Sequence, residues 1–419
     1  MKRITIIGGG ISGLTVLHYL KQRLGDSADI TLFERQPHVG GCIRTLKKGD
    51  CVFECGPNCF LDYQPATLQL IEELNLTHLL VEANPNARRR YIQMKGELVA
   101  VAMDPVNFIR TPLISGPDKW SLIKGLFKRN ISTDRSIYEY VSQRFSQGVA
   151  ACLVDPLISG IYAGDIKRLH MASAFPKLDS RLRGNDKKWF RRIRMRSFLG
   201  GMGQIMETLL SRYQSHIQTN TDISLAQIKT DITIVSTPAY AAARIIGDVN
   251  PVLAHLLGQI PYVPIAVVGL GFEHNAFRKK TDGFGFLIPS QEHKDILGVL
   301  IESNIFPQRA GLDQVMLRVL LGGAHHPQII NDTKEQILSK AIKEIDTVYG
   351  LKAQPLETFV QLWPKAIPQY EMNYPLWRQG IAEQCAQTPD LYLCANYLDG
   401  ISFNDCINNA KLIAGIIAI

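Results

Sequence analysis

The sequence predicts an α/β chain: a parallel sheet assembled from both chain ends, with a mixed-sheet unit and a helical subdomain inserted between them. Three observations carry that expectation. A β-branched run, "ITII" (4–7), feeds a glycine-rich turn and then a helical pattern. A second strand pattern, "DITLFE" (29–34), follows at once. A strand, turn and helix reappear at 391–419, so the material between is read as an insertion.

The first run is short and apolar, as a buried parallel strand should be. It enters Gly8-Gly9-Gly10-Ile11-Ser12-Gly13, and "LTVLHYLKQRLG" keeps helical spacing as far as Gly25. Glu34 closes the second strand 21 residues after Gly13. A glycine triplet alone is a weak sign. Set between strand and helix, with an acid at the end of the next strand, it marks a Rossmann-type dinucleotide site. Gly8 permits the tight turn, Gly10 lets backbone approach a pyrophosphate, and Gly13 lets helix and strand pack closely. Ile11 and Ser12 open the helix, whose free N–H groups suit phosphates. Glu34, with Arg35 beside it, is placed for ribose hydroxyls.

A second glycine pair, Gly40-Gly41, then precedes Arg44. A nicotinamide site has no need of it. An extended flavin dinucleotide gains a second backbone approach and a cation beside its pyrophosphate, so non-covalent FAD is the expected cofactor. At the far end, Ser402 and Asp405 fit a capping box for the terminal helix. The N–H groups around Gly400, Ile401 and Ser402 are expected at the N1/C2 edge of an isoalloxazine, where they stabilise the anionic reduced ring.

"CVFECGPNCF" (51–60) spaces Cys51, Cys55 and Cys59 four residues apart. That spacing matches neither zinc nor common cluster patterns. In an extended strand Cys51 and Cys55 share a face but stand about 13 Å apart, too far to share one ion. No metal is expected. Gly56, Pro57 and Asn58 instead read as a turn that approaches the flavin, stiffened by proline.

Composition narrows the class. Eight cysteines in 419 residues are too few for a disulfide scaffold, and most lie in apolar runs, pointing to a reducing, cytoplasmic setting. The opening residues lack the form of a signal peptide, and no apolar stretch is long enough to span a bilayer. The net charge of +8 has a local origin: residues 181–196 hold eight basic residues against one acidic, a local +7. Such a run reads as a solvated loop or a contact with anionic lipid. With only Trp189 and Phe190 to stack on bases, nucleic acid is not expected. "DKWSLIKGLFKRN" (118–130) sets Trp120, Ile123, Leu126 and Phe127 among lysines, either a buried packing face or a surface for an anionic membrane.

Several stretches resemble one family. "FECGPNCF", "PLISGIYAGDIKRLHMASAFPKL" (156–178), "SFLGGMGQIMETL" (197–209), "GFGFLIPS" (283–290), "AIPQY" (366–370) and "ANYLDGISFNDCI" (395–407) look like the oxygen-dependent protoporphyrinogen and coproporphyrinogen oxidases of the amine oxidase superfamily. The resemblance covers nearly the whole chain, and "GIYAGD" with "AIPQY" are its most specific parts. It implies oxidation of protoporphyrinogen IX to protoporphyrin IX in haem synthesis, with dioxygen as acceptor and hydrogen peroxide released. The coproporphyrinogen III-oxidising relative is not separated by these motifs. It further implies that Arg90, in "NARRRYIQ", binds substrate carboxylate, with Arg88 and Arg89 as neighbours able to substitute. Phe284, Gly285, Leu287 and Leu320 would clamp the apolar macrocycle, although alternating strand positions facing a core would give the same pattern. No protein side chain is expected to be catalytic, since the flavin does the chemistry. The partners so implied are the porphyrinogen, dioxygen, an anionic membrane surface on the cytoplasmic face and a second copy of the chain.

The expected organisation follows: FAD-binding parts at 1–85, 201–250 and 371–419, substrate-binding parts at 86–100 and 251–370, and a helical, membrane-facing part at 101–200. The chain departs from the family where "HIQTNTDISLAQIKT" (216–230) replaces a longer β-meander, at Asn58, where some relatives carry arginine, and in the run 181–196. Two other readings stay open: a different amine or carotenoid oxidase, and a binding protein like the GDP-dissociation inhibitors. A colourless purified protein would favour the last.

Overall fold

The computed structural model describes residues 1–101, 108, 110–128, 131–176 and 193–417. Its first sheet has five parallel strands in the spatial order Ile217–Gln218, Ala28–Phe33, Lys2–Ile7, Ile232–Val235, Leu391–Leu393. Both chain ends thus meet in one sheet. Helices Ile11–Leu24 and Phe403–Ile416 share a core with Ile4, Ile6, Leu32 and Ile234. A separate cluster gathers Val235, Leu391 and Leu393 with helices Ala239–Ile246, Pro251–Gly258 and Tyr374–Ala386. Alternate strand positions therefore feed two cores, as a doubly wound sheet requires. Helix Pro251–Gly258 belongs to this side and not to the inserted sheet.

The inserted sheet is mixed and seven-stranded: Glu357–Pro368, Tyr262–Glu273, Gln314–Gly322, Ile296–Ile301, Gly285–Leu287, Arg90–Met94, Glu97–Ala100. Arg90–Met94 runs parallel to Gly285–Leu287, and the other pairs are antiparallel. Leu317, Val319 and Leu321 turn to one face, where helix Lys334–Tyr349 buries Ile337, Ala341 and Ile345 against them. The intervening residues Arg318 and Leu320 face the other way, toward the dinucleotide unit.

The stretch read as helical is so only in part. Helices Gly116–Phe127, Ile137–Arg144 and Asp155–Tyr162 are present, the first two opened by capping boxes from Ser115 and Ser136. Met195–Phe198, however, is a strand, pairing with Phe60–Leu61 and Leu80–Glu82. Most of the basic run, 181–192, lies outside the described residues, as do 129 and 130 of the lysine-rich stretch. Within the run's described end, Arg194 and Arg196 pair with Glu82 and Asp62. In place of the longer meander, 216–230 forms a two-residue strand and a single turn of helix at Leu225–Gln227.

Candidate active site at the junction of the two sheets

The glycine loop is set by backbone contacts. Gly8 has φ of 112°, and a Cβ there would stand 2.8 Å from the Ser236 carbonyl oxygen. A Cβ on Gly13 would stand 2.0 Å from the Gly8 carbonyl oxygen. Those two glycines are required by the protein itself. At Gly10 a Cβ would meet nothing within 4 Å, so its bareness serves open space at the start of the helix. Gly40 donates its N–H to the Gly9 carbonyl at 2.8 Å, and Gly41 lies against Gly10. The two glycine stretches, 30 residues apart in sequence, make one cradle.

Glu34 accepts from the Gly9 N–H at 2.7 Å and from the Gln36 N–H at 2.8 Å. Each carboxylate oxygen keeps a further lone pair for a ribose hydroxyl. Arg35 is exposed and Arg44 is half-buried, beyond Gly41. Ser12 is buried in the first turn behind Ile11. Sequence reasoning missed Ser236 and Thr237, which press on Gly8 and hold buried hydroxyls with no partner. Two orphaned hydroxyls beside an open glycine are what a phosphate-bearing dinucleotide would satisfy. The residues present fit FAD.

The cysteine-bearing strand, Cys51–Glu54, is wholly buried against Met316 and Phe359 of the mixed sheet. Burial pushes the Cys51 and Cys55 thiols up to about 11 and Cys59 to about 12, so all three stay protonated at neutral pH. They pack as small hydrophobes. The turn after them is fixed on both sides. A Cβ on Gly56 would collide with the Cys42 carbonyl at 2.1 Å, and Trp363 donates its indole N–H to the Cys55 carbonyl at 2.8 Å. Pro57 follows, and Asn58 donates to Glu302 at 2.9 Å.

Beneath that turn lies a charged cluster that sequence reasoning also missed. Arg309, 1% exposed, pairs with Glu302 at 2.5 Å and with Glu54 at 3.2 Å, and donates to Ser197 Oγ and the Asn58 carbonyl. Glu54 further accepts from the Met202 N–H and the Thr45 hydroxyl, both at 2.7 Å. Burial lifts the Glu54 carboxyl above its usual range, against the opposing pull of Arg309. Arg318 reaches the Gly56 carbonyl from the mixed sheet, and its Nε and Nη1 have no partner. A lone charge inside the apolar run "VMLRVLLGG" was the available signal.

The strand-borne positions Arg90, Gly285, Leu287 and Leu320 fall on one sheet face. Strand register sets Arg90 beside Gly285, Gly285 opposite Leu300, and Leu300 opposite Arg318. The next row along is Ile92, Leu287, Gly298, Leu320. Phe284 directly precedes the strand Gly285–Leu287, donating its N–H to the Arg89 carbonyl at 2.7 Å, and the Arg90 guanidinium lies 4.7 Å over its ring, a cation–π contact. Of the three neighbouring arginines, Arg89 is drawn to Asp282 at 3.3 Å, away from this face. Gly285 is glycine for a backbone reason as well: with φ of 136°, a Cβ would lie 2.0 Å from the Val299 carbonyl oxygen. Gly160 of helix Asp155–Tyr162 rests on Leu287, closing one side.

The turn Gly400–Ser402 is held from the helical subdomain. Gly400, with φ of 119°, donates its N–H to the Tyr370 hydroxyl at 3.1 Å. Ile401 packs into the helical core, and Ser402 caps the terminal helix in a reciprocal bond with Asp405. Of the three N–H groups expected at the isoalloxazine edge, that of Gly400 is thus held by Tyr370 and that of Ser402 by the Asp405 carboxylate at 3.2 Å, which leaves the Ile401 N–H at the positive end of the 14-residue helix.

A family model, flavin-containing amine oxidoreductase, matches residues 11–418. A coproporphyrinogen III oxidase of Bacillus subtilis is 25% identical over 98% of this chain and 96% of its own length. A protoporphyrinogen oxidase of Bos taurus is 27% identical over 98% and 97%. Among solved structures, a protein from Exiguobacterium sp. 255-15 assigned as a protoporphyrinogen oxidase superposes with a TM-score of 0.83 at 21% identity, covering 99% of this chain and 98% of its own, a likeness in fold. With its dinucleotide cradle and its match along nearly the whole length, the chain belongs to the flavin-containing amine oxidoreductase family and is an FAD-dependent oxidoreductase.

Proposed function

We propose that the protein oxidises a porphyrinogen to the corresponding porphyrin. The observation that carries the reading is one sheet face that offers a rim cation, Arg90, beside an aromatic ring and an apolar row, facing the turn Gly56–Asn58. A puckered, apolar macrocycle with carboxylate arms needs that combination, and it needs no nucleophile or acid from the protein. Bound FAD supplies the hydride acceptor at N5 and dioxygen the terminal acceptor, so that three two-electron rounds turn a porphyrinogen and three dioxygen into porphyrin and three hydrogen peroxide.

The chain's own residues bind, orient and exclude water. Gly10, Ile11, Ser12 and Glu34, with Gly40, Gly41 and Arg44, hold the dinucleotide in a loop whose shape Gly8 and Gly13 permit. The Ile401 N–H, beside the start of the terminal helix, favours negative charge at the pyrimidine edge, since those of Gly400 and Ser402 are held by Tyr370 and Asp405. Gly56–Asn58 supports the ring. Phe284, Leu287 and Leu320 hold the macrocycle against it, while Arg90 takes a propionate. Names carried by similar proteins support both protoporphyrinogen IX and coproporphyrinogen III as substrates.

Anaerobic mixing with each porphyrinogen tests the reading: flavin absorbance should bleach, and admitted oxygen should restore it with hydrogen peroxide released. Arg90→Ala should raise KM about ten-fold or more while FAD content is kept, since it removes a charge-assisted bond to substrate alone. Failure of both porphyrinogens to bleach the flavin would refute the proposal.

A further inference from the structure

Arg318 is the least satisfied cation in this part of the molecule. It is 8% exposed, yet only its bond to the Gly56 carbonyl is made, and its Nε and Nη1 have no partner. The two carboxylates nearby do not account for it, because Glu54 and Glu302 are both paired with Arg309. No described carboxylate lies within ion-pair distance of Arg318. A buried guanidinium with idle donors is costly and calls for a ligand that completes it.

Its position says which ligand. Arg318 stands in the same cross-strand row as Arg90, through Leu300 and Gly285, three strand spacings away. At the usual separation of neighbouring strands the two backbones are about 14 Å apart. The apolar row of Leu287, Gly298 and Leu320 runs alongside. One arginine marks the rim and the other the inner end, beside the turn Gly56–Asn58.

We propose that Arg318 is a second carboxylate-binding residue, opposite Arg90, which selects a porphyrinogen carrying propionates on opposed edges: coproporphyrinogen III over protoporphyrinogen IX. This rests on the porphyrinogen reading above. Protoporphyrinogen IX carries its two propionates on adjacent rings, at one edge, where Arg90 alone serves them. Coproporphyrinogen III has a propionate on every ring, so holding one edge at Arg90 presents carboxylates to the inner end. There a leucine would leave them buried and unpaired, whereas Arg318 offers its idle donors.

The test compares wild type, Arg318→Leu and Arg318→Lys with both porphyrinogens. It measures KM and kcat, FAD content, and the Kd of coproporphyrin III and protoporphyrin IX from quenching of protein fluorescence. Arg318→Leu should raise KM and Kd for the coproporphyrin pair about ten-fold or more, as expected for loss of a charge-assisted bond, with protoporphyrin values moving less than about two-fold. Arg318→Lys should recover part of the loss. Equal shifts for both macrocycles, including shifts that follow lost FAD, would assign Arg318 to the flavin or to packing and overturn the proposal. So would no shift at all. If the leucine variant does not fold, the lysine variant decides by the same ratio. A wild type that oxidises only protoporphyrinogen IX sinks this inference alone, and one that oxidises neither sinks the function proposed above with it.

Discussion

Replacing Arg309 with leucine isolates the buried cluster under the turn Gly56–Asn58. Among the described residues Arg309 is the ion-pair partner of both Glu302 and Glu54, each side chain 1% exposed, and it also ties down Ser197 and the Asn58 carbonyl. Removing one partner of a buried pair costs about 3–5 kcal/mol, because a charge is left in a poorly polarisable surrounding. Here two carboxylates lose their ion-pair partner, while the buried Arg318 still acts on both, so the loss should fall within that range at neutral pH. The pH dependence follows from Glu54. Its folded carboxyl already lies above the usual range through burial, and Arg309 is the chief force holding it down. Without Arg309 it rises further, so the folded state binds a proton that the unfolded state has released. Stability then falls as pH rises between the unfolded and folded values and is regained as pH falls. Urea unfolding of the FAD-loaded protein, followed by tryptophan emission, should give a deficit larger at pH 8 than at pH 5. Glu54→Gln in the Arg309→Leu background should narrow it. A deficit under about 1 kcal/mol at pH 8, or one that does not change with pH, would refute the argument that this cluster is a tightly coupled charge group.

Gly10→Ala should leave the unliganded fold intact and weaken FAD binding, whereas Gly13→Ala, whose Cβ would stand 2.0 Å from the Gly8 carbonyl oxygen, should destabilise the protein before cofactor is added; thermal melts of the apoprotein separate the two. Cys51 and Cys55, with thiols pushed up to about 11, should resist iodoacetamide at pH 8 in the folded protein and react on unfolding, as read by mass spectrometry. Tyr370→Phe removes one bond to Gly400 and one to the Asn396 carbonyl, a loss of about 1 kcal/mol each, and FAD titration should show affinity falling several-fold with secondary structure unchanged. Trp120, Leu126 and Phe127 are 57%, 70% and 80% exposed beside Lys124 and Lys128, and co-sedimentation with anionic vesicles should fall with added salt and with Phe127→Ser; binding indifferent to both excludes an electrostatic and apolar attachment through this helix.

What could be read from the sequence is local. Gly8 through Gly13, the following helix and Glu34 sit within one β-α-β passage, and their spacing alone carries the geometry. The capping box at Ser402 and Asp405 is likewise written in four residues. The Arg309 cluster joins Glu54, Ser197 and Glu302, brought together only when the mixed sheet docks on the strand Cys51–Glu54. No periodicity encodes a pairing across 255 residues. Arg318 shows the middle case: its anomaly, one charge in an apolar strand, is visible in the sequence, while its neighbours are not. Gly285 shows another. A glycine in a strand suggested room for a ligand or a bulge, and the Val299 carbonyl supplies a third reason that only strand pairing reveals.

The most specific motifs mark places where layers are tied to one another. Gln369 of "AIPQY" donates to the Tyr162 carbonyl of "GIYAGD" at 3.0 Å. In that motif Ala163 takes a left-handed conformation, with φ of 48°, and its carbonyl accepts the Ala324 N–H just after "LLGG" at 2.8 Å. Tyr370 stacks on Tyr374 at 4.1 Å, and their hydroxyls hold the carbonyls of Asn396 and Tyr397 in "ANYLDG". Helical subdomain, mixed sheet and the turn Gly400–Ser402 are thereby fastened through two tyrosines and one glutamine. Under the proposed function, a clamp borne by one sheet works only if its distance to the ring is kept, and hydride transfer tolerates little error in that distance. The rigid tie explains why bulky, hydrogen-bonded residues stand at a junction that touches neither Arg90 nor Arg318.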